Sequence, residues 1–290
     1  MKSESSVSQM SEGTNQRSPE RELAYFICLA NETCDEAMEE LEAPLDFLAA
    51  IDLLYMDFFK QAGPVGSPTA SILLLNAHSS LRGGIRMALS GQLLPVFMTL
   101  RGAIESALYA YAIVVNPVLQ AIWLNRHANE ESRQACRRAF SAAKMFRLLE
   151  QRLDRKEFAV NLSHAYESTI DFGAHPNSLS LLRSIRIEDI DGGMQAMDFT
   201  YIHGSGSFEV RQSLVACAEI GLAVFFVALM CFENHPRITN LNERALALNQ
   251  RVSSFIQELG LASKGGAPTP SSANTAYRRS PKKKSHRYHR

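Results

Sequence analysis

The stretch SILLLNAHSSLRGGIRMALSGQLLPVFMTLRGAIESALYAYAIVVN, residues 71–116, decides the fold. Apolar residues recur in it every three to four positions, which is the period of a helix with one buried face. Gly91 and Pro95 interrupt the pattern, so the stretch predicts two core helices, at about 69–90 and 95–116. The glycine pair Gly83-Gly84 lies in the middle of the first helix, where a close helix neighbour or a bend is expected.

Helical periodicity continues on both sides of this stretch, with capping and breaking residues between the segments. It predicts further helices at about 20–34, 35–61, 129–156, 157–174, 208–234 and 240–261, and a short apolar piece at 117–126. Residues 1–19 and 263–290 are polar and lack periodicity, so both ends are expected to be disordered.

One segment changes period. Leu182–Asp189 and Met197–Ile202 alternate apolar and polar residues, and Asp191-Gly192-Gly193 lies between them as turn chemistry. This pattern predicts an inserted β-hairpin over about 182–202. The predicted fold class is therefore mostly α: a single helical-bundle domain over 20–262, with about seven to eight helices and one inserted β-hairpin.

The net charge of zero conceals a strong asymmetry. Residues 264–290 hold eight of the 30 Lys and Arg residues and no acid, which leaves 22 basic and 30 acidic residues in the rest of the chain. A basic tail of this kind can bind nucleic acid by charge alone, with little specificity. It could equally fold onto the acidic body or only aid solubility.

Five cysteines without C-x-x-C spacing argue against disulfides and structural zinc, and they predict a cytoplasmic location. No secretory signal is visible at the start of the chain. Leu214–Phe232 approaches the length of a membrane span but contains Glu219. Because the other helices are amphipathic, this segment is expected to be a buried core helix, and no membrane span is expected.

The second core helix carries a charged pair, Arg101 and Glu105, one turn apart beside an apolar stripe. A charge in such a position is costly unless it is paired, so the two are expected to be largely buried and bonded. They could form a polar ligand-binding pocket for an anionic ligand, with His78, Arg82 and Tyr109 as neighbours. The alternative is a structural ion pair that fixes helix register.

A second candidate surface is one face of the predicted helix at 129–156. An exposed aromatic among cations can stack on a base while the cations hold phosphates, so this face is a nucleic-acid candidate. A plain solvated face is the alternative. The residues concerned are Arg133, Arg137, Phe140, Lys144 and Arg147.

Metal and cofactor chemistry finds little support. His164, Glu167, Asp171 and His175 share a narrow arc of one helix, but that arc lies opposite its core face and is expected to be solvated. The Glu-x-x-His pairs of di-iron bundles are missing. So are the G-x-G-x-x-G, phosphate-loop, H-E-x-x-H and G-x-S-x-G motifs. No metal and no cofactor is expected.

Three features together resemble a family of helical bacterial proteins of unknown function that is loosely similar to the HEPN superfamily. They are Arg101-Gly-Ala-Ile-Glu105, Tyr166-Glu167 leading to His175-Pro176-Asn177, and a glycine-rich connection into a long apolar helix. The resemblance covers about residues 70–235. HEPN membership implies RNA cleavage by an Arg followed five or six residues later by His on one helix. That pair is missing here, so the resemblance implies a HEPN-like interaction or nucleotide-binding bundle.

The sequence thus predicts a non-catalytic helical binding module with a polar site, for an anionic ligand or nucleic acid. The rival hypothesis is a hydrolase or nuclease-like enzyme. Its acid and base would be Glu105 with His78 or His175, which must then converge to hydrogen-bond distance.

Overall fold

A computed structural model describes residues 19–62, 67–153, 156–174, 185–190, 194–232 and 239–258. The protein is mostly helical, as predicted. The helices are α1 (Pro19–Glu40), α2 (Glu42–Ala62), α3 (Pro68–Leu89), α4 (Leu93–Val115), α5 (Val118–Leu124), α6 (Glu130–Ala139), α7 (Ala142–Glu150), α8 (Glu157–Thr169), a π-helical turn (Ile170–Ala174), α9 (Phe208–Met230) and α10 (Thr239–Glu258). The predicted disordered ends, residues 1–19 and 263–290, lie outside the described residues, apart from Pro19, which begins α1.

The centre of the bundle is α9, which packs against α2, α3, α4 and α10. Its first turn is fixed by Ser207, whose hydroxyl accepts a hydrogen bond from the Val210 N–H. The Tyr55 hydroxyl of α2 donates to the Gly221 carbonyl of α9 at 2.9 Å, which satisfies both groups inside the core. Burial of the apolar face of each surrounding helix against α9 is the main stabilising contribution.

The two predicted core helices, α3 and α4, pack along most of their length as an antiparallel pair. A Cβ atom added at Gly84 would lie 2.9 Å from the Thr99 Oγ1 of α4, so the mid-helix glycine permits close helix approach. The connection turns at Gly91, whose φ is +70°. The His203 N–H donates to the Gly91 carbonyl at 3.0 Å, and a Cβ at Gly91 would collide with His203 backbone.

Two predicted helix boundaries were wrong. The predicted helix at 129–156 is two helices, α6 and α7, because the chain leaves helical geometry at Ser141, with φ −67° and ψ 141°. The boundary between the first two helices falls at Leu41 rather than near residue 34. The reason is that the buried stripe of Cys34 and Ala37 continues to Leu41. Pro44 does not break α2, since it lies in the first turn, where its missing N–H has no helical partner.

Two short strands lie between the π-helical turn and α9. β1 (Ile185–Ile190) runs antiparallel to β2 (Met194–Phe199), with Ile185 opposite Phe199 and Ile190 opposite Met194. The turn at 191–193 lies outside the described residues. The strands contact mainly each other, and a two-stranded sheet alone is at best marginally stable in water. The inserted β-hairpin therefore stays a prediction.

Two of the described helices are long and apolar enough to cross a membrane. They are Leu93–Val115 and Phe208–Met230, and 83% of the apolar window of the second is buried inside the bundle. Core helices of globular proteins share this length and composition, so the two helices are weak evidence for a membrane.

Candidate functional site

The predicted ion pair on α4 is formed. The Arg101 Nε–H donates to Glu105 Oε1 at 2.9 Å, across one helical turn. The Tyr166 hydroxyl of α8 donates to the same oxygen at 2.9 Å, and the Arg101 guanidinium lies 5.3 Å from the Tyr166 ring centroid. These contacts join α4 to α8 through one carboxylate.

The pair is less deeply buried than the apolar sequence around it suggested. The side chains of Arg101 and Glu105 are 27% and 33% exposed, because the pair lies at the margin of the helix interface. An ion pair in this position is only partly desolvated, so it costs less to form than one in a dry core. The expectation that both side chains are largely buried was wrong.

Two tyrosines surround the Glu105 carboxylate. Burial, followed by the hydrogen bond to Glu105, raises the pKa of Tyr166 to about 12. Burial and the charge of Glu105 likewise raise the pKa of Tyr109. Both phenols are therefore protonated near neutral pH. Tyr166 acts as a hydrogen-bond donor there, and it is unsuited to act as a base.

His78 and Arg82, predicted as neighbours of this pair, belong to a different group. They bind Asp52 of α2: His78 Nε2 lies 2.7 Å from Asp52 Oδ1, and Arg82 forms two hydrogen bonds to the carboxylate, at 2.7 and 2.8 Å. The Arg82 hydrogen bonds hold the pKa of Asp52 below its usual value. Bidentate pairing of this kind fixes geometry as well as charge.

The His78 ring is enclosed by aromatic residues. It stacks on Tyr55 with 4.6 Å between centroids and 4° between planes, and Phe59 lies 5.8 Å away. Burial lowers the pKa of His78, which favours the neutral imidazole. Because the residue is only 5% exposed, a substrate has little access to this imidazole. The Asp52–His78–Arg82 group thus connects α2 to α3 as a structural network.

This division removes one of the two predicted acid–base pairs. Glu105 is bonded on the α8 side of α4, whereas His78 is bonded on the α2 side of α3. Without convergence the two side chains cannot share a substrate proton. His175, the other proposed partner of Glu105, lies outside the described residues.

The predicted basic face loses its aromatic member in the structure. Arg133, Arg137, Lys144 and Arg147 are all exposed, and Arg133 forms an ion pair with Glu130. Phe140 is only 4% exposed and packs on Tyr109, with 4.7 Å between ring centroids. The break before α7 turns this side chain inward, so the prediction of an exposed stacking aromatic was wrong.

Sequence reasoning missed four residues of these groups: Tyr166, Asp52, and the exposed cations Arg138 and Arg152. Tyr166 is 61 residues from Glu105, and Asp52 is 26 residues from His78, so helical periodicity gives no signal for either contact. Arg138 was left out because the predicted continuous helix placed it off the basic face; its side chain is exposed.

His164, Glu167 and Asp171, which lie on α8 and the π-helical turn, are all exposed. Within the described ranges, no three His, Cys, Asp or Glu residues are arranged to hold a metal ion. No protein-family model, curated protein or solved structure matches the chain.

Proposed function

We propose that this protein is a non-catalytic helical module that binds polyanions such as nucleic acid through a basic face on α6, α7 and the residues after them. The basic face consists of Arg137, Arg138, Lys144, Arg147 and Arg152, all of which are exposed. The observation that carries the proposal is local charge. Residues 126–156 contain nine Lys or Arg and four acids, in a chain whose net charge is zero.

The described contacts leave this charge available. Among the residues that the structure describes, no member of the basic face is in an ion pair, whereas neighbouring Arg133 is paired with Glu130. Side chains of this kind replace the counterions of a phosphate backbone, and the released counterions drive binding. Because Phe140 is buried, base stacking is not part of the mechanism, and little sequence preference is expected.

The Arg101–Glu105–Tyr166 group has a supporting role in this proposal. Phe140, before α7, packs on Tyr109, and Phe146 of α7 packs edge-on against Tyr166, with 5.6 Å between centroids. These two contacts fix the N-terminal half of α7 to α4 and α8. An anionic ligand at Arg101 would have to share the guanidinium with Glu105, which makes the basic face the better anion site.

The setting of this activity is also a proposal. All five cysteines are free thiols, four of them buried, which suits the reducing cytoplasm. The helical bundle and the missing nuclease pair are compatible with a HEPN-like interaction role in bacterial defence or regulation. We also propose the inserted β-hairpin over about 182–202, with β1 and β2 paired antiparallel.

Salt-dependent binding tests the proposal. The affinity of full-length protein for a fluorescent 20-nucleotide single strand is measured by anisotropy between about 50 and 300 mM salt. The variant is Arg137→Gln/Lys144→Gln/Arg147→Gln. If each residue contacts one phosphate, the slope of log affinity against log salt falls by about 2, at about 0.7 per contact.

The matched control removes three exposed cations elsewhere, with Arg21→Gln/Lys60→Gln/Arg251→Gln. Its net charge equals that of the first variant, so only location differs. Equal slopes for the two variants would assign binding to net charge or to the tail and overturn the proposed face. Absence of binding by wild-type protein at about 50 mM salt would remove nucleic acid as a partner.

A further inference from the structure

A cleft opens at the end of the bundle where α1 gives way to α2. Its volume is about 270 Å³, slightly below the range of small-molecule pockets. The apolar part of the lining comes from three helical regions that meet here: Leu41 and Pro44 from the α1–α2 junction, Val215 from α9 and Phe255 from α10. An apolar side chain of moderate size would find a hydrophobic surface in this cleft.

Charged side chains of both signs line the rim of the cleft. Glu40 and Glu42 lie on the α1–α2 side, and Arg211 lies on the α9 side. The two acids continue into an acidic face of exposed side chains, which comprises Glu32, Asp35, Glu36, Glu39, Glu40, Glu42 and Asp46. No Lys or Arg occurs between residues 22 and 59 to offset them.

The described contacts do not neutralise this face. None of the seven acids is in an ion pair within the part of the chain that the structure describes. The Ser205 hydroxyl lies 3.2 Å from Glu36 Oε2 and 3.0 Å from Glu40 Oε2, so it can donate to only one of them at a time. Seven like charges on adjacent turns repel one another, and a cationic partner would relieve the repulsion.

The chain itself supplies a partner of the required chemistry. The last described residue, Glu258, lies one turn beyond Phe255 of the cleft. The sequence that follows has eight Lys or Arg and no acid between residues 264 and 290, including Tyr277-Arg278-Arg279. A coil of nineteen residues, the separation of Glu258 from Tyr277, spans about 25 Å on average. The acidic face is about 20 Å long at 1.5 Å per residue, so it lies within reach.

We propose that the C-terminal segment Tyr277–Arg290 docks on this cleft and the acidic face of the same chain. The ring of Tyr277 fills the apolar cleft, and Arg278 and Arg279 pair with Glu40 and Glu42. Arg211 repels cations from the α9 side, which directs the basic residues towards α1. Tethering favours this occupant over a free partner, because a short linker gives an effective concentration in the millimolar range.

This contact is independent of the basic face on α6 and α7, so it can hold or fail separately from the proposed function. It adds regulation: a polyanion that captures the tail must displace it from α1, so the polyanion and the acidic cleft compete for the cations of the tail. Part of the free energy of polyanion binding is then used to release the tail from the cleft. Removing the cleft acids is therefore expected to raise the affinity for the polyanion.

Photo-crosslinking of full-length protein tests the docking. p-Benzoylphenylalanine replaces Tyr277, and crosslinked peptides are identified by mass spectrometry at about 50 mM salt. Crosslinks to residues 40–44 and to the α10 segment around Phe255 are expected. Glu40→Lys/Glu42→Lys should reduce their yield at least fivefold. Glu157→Lys/Glu167→Lys, which makes the same charge change at exposed positions of α8, should leave it unchanged.

A second variant leaves the folded body unaltered, in case the lysines at the cleft disturb folding. Arg278→Ser/Arg279→Ser, with the probe still at position 277, should lower the same yield at least threefold. Equal losses in the cleft and α8 variants, or crosslinks scattered over the surface, would overturn the proposal. Crosslinks found only in covalent dimers would assign the cleft to a second copy and overturn docking within one chain.

Discussion

Glu105 is the acceptor that joins α4 to α8, since both Arg101 and Tyr166 donate to its Oε1. We expect Glu105→Ala to lower the free energy of unfolding by about 1–2 kcal/mol, because hydrogen bonds to a charged group contribute about 1.5–3 kcal/mol and partial exposure reduces this contribution. Urea denaturation measures this change, with Glu167→Ala on the exposed side of α8 as the control. A loss of about 3–5 kcal/mol would instead show that Arg101 is stranded in a dry interior.

Glu219 of α9 is a second informative carboxyl group. Its Oε1 is buried without a hydrogen-bond partner among the described residues, and burial raises its pKa to about 7. The folded protein therefore holds this proton more tightly than the unfolded chain does. The contribution of Glu219 to the free energy of unfolding is therefore complete below about pH 4.5. This contribution is lost as the pH rises through about 7.

We expect Glu219→Gln, which cannot ionise, to be more stable than the wild type at pH 8, by about 1–3 kcal/mol. The two proteins should differ little at pH 4.5, where the carboxyl group is protonated in the folded state. Thermal unfolding at several pH values measures the difference. A wild type that is equally or more stable than the variant at pH 8 would show that Glu219 is solvated or paired.

The side chains show where sequence reasoning reached its limit. Arg101 and Glu105 could be paired from sequence because they are four positions apart on one helix. His78 and Arg82 were assigned to the same pocket, because periodicity marks a buried face without naming the helix that covers it. Their true partner, Asp52, lies on α2, and only the packing of α2 against α3 brings it within 2.7 Å of His78.

The helix boundaries show the same limit of sequence-based prediction. The bounds of α3 and α4 were predicted to within two residues, because Ser67-Pro68 and Gly91 are strong local signals. Ser67 caps α3 by accepting a hydrogen bond from the Ala70 N–H at 3.2 Å. The break between α6 and α7 has no Gly or Pro. It arises where Phe140 turns inward onto Tyr109, a tertiary contact that overrides helical propensity.

Phe140 therefore has a structural role that can be separated from binding. We expect Phe140→Ala to lower the free energy of unfolding by about 3–5 kcal/mol, as for other buried Phe side chains. The salt slope of oligonucleotide binding should be unchanged, because Phe140 carries no charge and does not reach solvent. Chemical denaturation and the anisotropy titration measure the two quantities. Weaker binding without a loss of stability would restore Phe140 to the interface.

The two strands between the π-helical turn and α9 give a test of the inserted hairpin. In the register described, Ile187 lies opposite Met197 and Arg186 opposite Asp198. We expect nuclear Overhauser effects between the backbone protons of these pairs, and amide exchange faster than in α9, because a two-stranded sheet is only marginally stable. Helical contacts between neighbouring turns at 185–190 would contradict the hairpin.

Charge is unevenly distributed over the folded protein. Acids dominate α1 and α2, basic residues dominate the region of α6 and α7, and the C-terminal segment carries a further eight cations. The last two of these facts were predicted from the sequence. That α10 ends beside the acidic cleft was not, because it depends on α10 returning to the α1–α2 junction, where Phe255 packs edge-on against Phe47 at 5.2 Å.

The two membrane-length helices, α4 and α9, pack against each other and against α2, α3 and α10. Insertion of either helix into a bilayer would break these contacts and expose Glu219 or the Arg101–Glu105 pair to lipid. The free-energy cost of one charged side chain at the centre of a membrane is about 2.5–3.5 kcal/mol. We therefore expect the protein, expressed with its native sequence, to stay in the supernatant when membranes are extracted with alkaline carbonate. A single-span membrane protein in the same preparation serves as the control for retention. Recovery of the chain in the carbonate-washed pellet, together with that control, would mean that α9 spans the membrane. It would contradict the packing of α9 inside the bundle.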